Sequence, residues 1–161
     1  AKTIPIMKEL LEFFGIQSVC IVDRDMAEKN PERFQGMFYT EGLEFEADVV
    51  ETLIRNNAVD ELRGAIKYLE EDGLDKNIQQ SKLEKINNKY KLKDYIDRDY
   101  RLKEVFTLED DNMKRLILMS WLSGIKNSAE GRILGEYISI QNIPKVYRNA
   151  IIEAKEVSKN V

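Results

Sequence analysis

The chain has 161 residues with 25 basic and 29 acidic side chains, a net charge of −4, one cysteine and no histidine. A catalytic triad or dyad built on histidine, a His-ligated zinc site and an internal disulfide are therefore excluded. Carboxylates and lysines remain in quantity, so any chemistry here belongs to hard cations and carboxylates.

The length suits one ordinary domain or part of a larger one. A hydrophobic fraction of 43% supports a core, and 34% charged residues with 8 Gly and 3 Pro favour a helix-rich chain. No apolar run approaches the ~20 residues of a membrane helix. The opening Ala1-Lys2-Thr3-Ile4-Pro5 has no basic-then-apolar leader, which fits a cytoplasmic protein. The chain starts on Ala1 rather than Met, so residues upstream are expected to be missing from it.

Thr3 to Phe14 reads as a helix, with Pro5 in its first turn and Gly15 at its end. Ile4, Met7, Leu10, Leu11 and Phe14 form one apolar face. Ser18-Val19-Cys20-Ile21-Val22 is apolar on both faces, as a buried parallel strand is. Asp23-Arg24-Asp25 follows, then a turn-prone stretch, then a second short strand at Met37-Phe38-Tyr39-Thr40. A helix from about Leu43 places Val49, Val50, Leu53 and Ile54 inward. This order predicts an α/β, helix-rich fold with a small parallel sheet flanked by helices.

Strand signals stop after Asn57. Val59 to Glu70 is amphipathic, and Asp75 to Phe106 predicts one or two exposed helices. Thr107-Leu108-Glu109-Asp110 resembles a capping box ahead of a helix with Met113, Leu116, Ile117, Trp121, Leu122 and Ile125 inward. Ser128 is placed to cap the next helix, whose Gly131 and Gly135 suggest close packing. The last helix, opened by Asn142 and Pro144, carries the stripe Ile143, Val146, Tyr147, Ala150, Ile151, Ala154 and Val157. The boundaries that follow are 1–57 for the α/β core, 58–110 for a helical insertion and 111–161 for helices packing back on the core.

Charge is uneven. Residues 1–70 carry 8 basic and 14 acidic groups, whereas residues 71–161 carry 17 and 15. The acidic excess gathers where the two strands end. Asp23 and Asp25 lie just past the first strand, the position where open α/β sheets build sites. In an extended segment they would share a face and could hold a divalent cation; a simple polar strand exit is the competing reading. Glu41, Glu44, Glu46 and Asp48 surround the start of the following helix. They either complement its dipole or join the first pair, and Glu46, between Phe45 and Ala47, is the one expected to point partly inward. Lys126 follows an apolar helix and could reach an anionic transition state or merely cap that helix. Arg132 nearby is either a phosphate fork or solvated. The chain lacks a P-loop and a GxGxxG turn. Lysines and arginines from Lys82 to Lys103, interleaved with Tyr90, Tyr95 and Tyr100, could track a nucleic-acid backbone or form a solvated helical face.

Taken together, Thr3-Ile4-Pro5, Phe14-Gly15-Ile16 and Ile21-Val22-Asp23-Arg24-Asp25 resemble the second half of a Toprim domain, specifically that of the overcoming-lysogenization-defect (OLD) family of ATP-dependent endonucleases. Phe38 to Glu46 resembles the next segment of that family. Ile125-Lys126, Gly131-Arg132 and Ile143-Pro144 resemble its C-terminal positions. The resemblance implies Mg²⁺ or Mn²⁺ held by Asp23, Asp25 and Glu46. It implies that Glu46 is a further ligand or orients a metal-bound water and that Lys126 stabilises the transition state, with DNA cut by two-metal phosphodiester hydrolysis. It implies as partners DNA, an ABC-type ATPase domain upstream in the same polypeptide, and a homodimer through an exposed strand edge, with no membrane. Toprim domains carry a further glutamate after their first strand, ahead of where this chain begins. The isolated chain is therefore expected to bind Mn²⁺ weakly and cut DNA poorly. A non-catalytic helical interaction domain is the alternative; a receiver-like domain would need further strands.

Overall fold

A computed structural model describes residues 3–125 and 128–159. The chain divides into two compact units, Ala1–Asp48 with Ile143–Val161, and Val49–Asn142.

The first unit holds α1 (Ile4–Phe13), β1 (Ile21–Val22), α2 (Arg24–Lys29), β2 (Phe38–Tyr39), the start of α3 (Phe45–Arg55) and, from the far end of the chain, α8 (Lys145–Val157). β1 and β2 pair in parallel, Ile21 opposite Phe38 and Val22 opposite Tyr39. The amides of Phe38 and Thr40 donate to the carbonyls of Cys20 and Val22 at 2.9 and 3.1 Å. The helix-rich α/β class with a small parallel sheet is therefore present. Val22, Ala27, Phe34 and Met37 form a small core, against which Ile4 and Cys20 pack.

The α1 stripe behaves differently from expectation. Of the stripe, Met7, Leu10 and Phe14 are exposed, while Ile4 and Leu11 are half-buried; Ile6 and Phe13, outside it, are exposed too, Phe13 at 83%, and only Pro5 of the helix is buried. Helical periodicity gives a face but not its partner, and the core of this unit is filled without most of α1.

The second unit holds the rest of α3, then α4 (Leu62–Leu69), β3 (Asn77–Ile78), α5 (Gln80–Tyr90), β4 (Tyr100–Arg101), α6 (Asp111–Leu122) and α7 (Ser128–Tyr137). Its buried side chains include Leu53, Leu62, Ile66, Leu83, Leu102 and a continuous run from Leu116 to Leu122 on α6. β3 and β4 pair antiparallel, a correction to the expectation of no strand beyond Asn57. Each is two residues long, too short to leave a period in the sequence.

Two further expectations are overturned here. Asp110, not Thr107, caps α6, accepting from the amides of Asn112 and Met113 at 2.8 and 3.3 Å. Gly131 and Gly135 are exposed, with open space where a Cβ would stand. The close approach is at Gly64 on α4, where an added Cβ would overlap the ring of Tyr137 on α7. Gly64→Ala is expected to cost about 1–3 kcal/mol as the ring is displaced. In a Tyr137→Ala background the same change should instead stabilise by up to about 1 kcal/mol through helix propensity. A double-mutant cycle by urea denaturation reads the difference.

Candidate functional site: carboxylates at the ends of the parallel strands

β1 ends at Val22, and the chain turns at once into α2. Asp23 is thus the last extended residue, and Asp25 lies inside the helix. The two do not alternate along one strand, a correction to the extended reading. Asp25 pairs with Lys29 one turn on, at 3.1 Å. Asp23 does not cap its own helix. Its Oδ1 accepts from the amide of Phe45, the first residue of α3, at 3.3 Å.

Two more bonds tie the two strand ends together, and a third braces the second loop. Thr40, buried after β2, accepts from the Arg24 amide at 2.9 Å and donates to the Gly42 carbonyl at 2.8 Å. The Asp25 amide donates to the Leu43 carbonyl at 3.2 Å. The β1–α2 and β2–α3 connections are therefore one cross-braced edge, at the carboxyl ends of a parallel pair.

Asp48 is the keystone of the second loop. It is 3% exposed, and its two oxygens accept from the amides of Glu41 at 2.9 Å and Gly42 at 2.5 Å. Gly42 permits that approach, since a Cβ there would stand 2.8 Å from the Ala47 methyl and 3.2 Å from Asp48 Oδ1. Asp48 is a loop brace, which agrees with neither a free ligand nor a simple dipole partner.

The electrostatics single out Asp23. Burial pushes its carboxyl above the ordinary aspartate range; the Phe45 amide pulls the other way, and the charges of Asp25 and Glu44 add to the rise. Glu46, half-buried in the first turn of α3, stands close enough to act on Tyr147 of α8. The Tyr147 phenol is pushed far above its normal range, by burial first and then by Asp48, Asp23 and Glu46, so it stays a neutral donor. Its ring meets Phe45 edge-on, centroids 5.3 Å apart. In the sequence Tyr147 is only one member of an apolar stripe. The signal it offers there is its polar tip on an otherwise apolar face.

Asp23, Glu46 and Tyr147 are thus brought into one electrostatic neighbourhood. Asp25 contributes charge there, yet its own oxygen is engaged by Lys29. Arg132 is exposed on α7 and faces Glu136 at 3.7 Å. Lys126 lies outside the described residues. Among the described residues no set of three or more Asp, Glu or Cys side chains gathers closely enough to hold a metal ion. A site using one or two carboxylates with water completing the shell remains compatible with Asp23 and its neighbours, since Mg²⁺ is commonly held that way. No helix among the described residues is long and apolar enough to cross a membrane. No family model, curated protein or solved structure matches the chain significantly.

Proposed function

We propose that the chain contributes to divalent-cation-dependent hydrolysis of DNA phosphodiesters, as part of an OLD-type nuclease that includes an ATPase domain. The observation that carries this reading is Asp23: a half-buried carboxylate at the carboxyl end of a parallel strand, carrying the repulsion of two further acids. Such a group is destabilised until a cation joins it. A bound Mg²⁺ or Mn²⁺ would supply Lewis acidity and a nucleophile at neutral pH.

The chain's own residues do the rest. Asp23 offers its oxygens, with Glu44, Asp25 and Glu46 setting a negative field that attracts the cation. Thr40 links the two loops, and Asp48 braces the second. Tyr147 Oη keeps its proton and can donate to an anionic oxygen at this edge. Lys126 belongs to the proposal through its sequence position alone.

Asp23→Asn provides the test. A carboxyl with a raised folded value stabilises the fold in its neutral form below the unfolded value, and that contribution is lost as pH rises through the folded one. The metal-free variant should therefore melt higher than wild type at pH 7. Calorimetry with Mn²⁺ should show at least about tenfold weaker binding in the variant, and the rise in melting temperature on adding Mn²⁺ should be confined to wild type. Equal Mn²⁺ binding by both proteins would reject the reading.

One observation favours a second reading, a non-catalytic interaction domain. The exposed apolar side chains of α1 are what a helix leaves open for a partner. A wild type with no response to Mn²⁺ would support this alternative.

A further inference from the structure

The turn that follows α5, in the unit Val49–Asn142, is built differently from an ordinary solvated loop. From Lys85 to Lys93 the chain carries four lysines and no acid. Lys85 and Lys89 lie one turn apart on α5 and share a face. The helix ends in Lys91, in the left-handed region at φ 55°, and Lys93 returns to it at φ 63°. Two non-glycine residues in that region within three positions are uncommon, and the surrounding bonds hold them there. The Asn87 side chain clamps Asp94 from both sides, donating to its carbonyl at 2.8 Å and accepting from its amide at 3.2 Å. The Leu92 amide closes on the Asn87 carbonyl at 3.2 Å.

Burial alternates along this clamped turn. Leu92 and Asp94 are half-buried and Ile96 is buried, whereas Lys91, Lys93 and Tyr95 are exposed, Tyr95 at 85%. The one acid of the turn before Tyr95 therefore faces in: Asp94 has a buried Oδ2 and acts on Arg115. The outward side carries lysines and an uncovered aromatic ring. Asp97 and Glu84 are the nearest exposed acids in sequence and bound the patch.

We propose that Lys85, Lys91, Lys93 and Tyr95 form a docking surface for single-stranded nucleic acid. The lysines neutralise backbone phosphates, and Tyr95 stacks on an unpaired base. The charge alone would suit any polyanion. The exposed ring, held on a turn that is already ordered, selects a strand whose bases are free to stack, at little further entropic cost. This extends the proposed function to a nucleic-acid form and place, and it stands on observations separate from the Asp23 carboxylates.

The test is fluorescence anisotropy on the full chain in EDTA, with a labelled thymidine oligomer of about 20 nucleotides, its duplex, and inorganic polyphosphate. Lys85→Gln with Lys91→Asn and Lys93→Asn removes the charge while leaving residues that accept a positive φ. It should weaken oligomer binding at least about tenfold and reduce the slope of log affinity against log salt by about 2. Tyr95→Ala should weaken the single strand about tenfold and leave duplex and polyphosphate nearly unchanged. Unchanged oligomer binding in the lysine variant overturns the surface. Equal loss of all three probes in Tyr95→Ala overturns the single-strand assignment. Asp23→Asn should bind the oligomer as wild type does, so a failed Mn²⁺ titration and a failed docking surface are read separately.

Discussion

Asp48→Ala is expected to lower the stability of the chain by about 2–4 kcal/mol, the largest loss from any polar substitution near the strand ends. Its carboxylate satisfies two backbone amides, Glu41 and Gly42, at a position 3% exposed to water. An alanine leaves both donors without their acceptor and opens a cavity that Gly42 cannot fill. Charge-assisted acceptance is about twice as strong as neutral acceptance, which raises the loss further. Asp48→Asn should fall between the two, because an amide keeps one acceptor oxygen and sets an N–H₂ against the remaining donor. Denaturant midpoints give the magnitudes. Amide hydrogen exchange at Glu41 and Gly42 should accelerate in the alanine variant well before the rest of the chain, since the loop loses its brace. The same loop carries Phe45, whose amide engages Asp23. Asp48→Ala is thus expected to weaken Mn²⁺ binding indirectly, whereas Asp23→Asn weakens it while stabilising the metal-free fold. The opposite signs on stability separate a brace from a ligand.

Glu61→Ala should cost a similar amount, about 2–4 kcal/mol, in the unit Val49–Asn142. Glu61 accepts from the Ser139 amide at 2.8 Å, from the Ser139 hydroxyl and from Asn142 Nδ2 at 2.8 Å. Asn142 is buried and in turn accepts from Asn56 at 2.8 Å. The glutamate therefore satisfies the turn Ile140–Asn142 that follows α7. Burial raises its carboxyl, but the hydrogen bonds from Ser139 and Asn142 outweigh it and leave the net value below the ordinary glutamate range. A depressed carboxyl contributes stability above its unfolded value and loses it as pH falls through the folded one. The gap between wild type and Glu61→Gln should accordingly be full at pH 7 and narrow steadily in acid below about pH 4. A gap that does not change with pH would mean that the charge of Glu61 contributes nothing.

Much of the α/β unit is legible in the sequence because its signals are local. Val22 and its neighbours are apolar on both faces, and a second short strand ends at Thr40; the parallel pairing of Ile21 with Phe38 joins these two local signals. Met113, Leu116, Ile117, Trp121 and Leu122 of α6 follow from period, whereas the burial of Leu118, Met119 and Ser120 between them does not. Asp23 stands out because it lies where such a strand must end.

Other features are invisible there for definite reasons. Whether Asp25 continues a strand or enters a helix depends on the Leu43 carbonyl receiving its amide, a partner 18 positions away. The brace role of Asp48 depends on two amides that only the folded loop turns towards it. Gly131 and Gly135 carry the spacing of a packing motif but face solvent, while the lone Gly64 meets Tyr137, because a glycine shows its purpose only when an opposing surface arrives.

Residue order alone excludes histidine-based mechanisms and an internal disulfide in this chain, which has no histidine and one cysteine. It also sets the parallel strand pair and the acidic excess at their ends. Only folding assigns some acids to backbone amides, burdens another with its neighbours, and turns certain lysines outward beside an aromatic ring. Hydrophobic period is a property of consecutive residues, whereas desolvation and hydrogen-bond partnership belong to residues brought together across the chain.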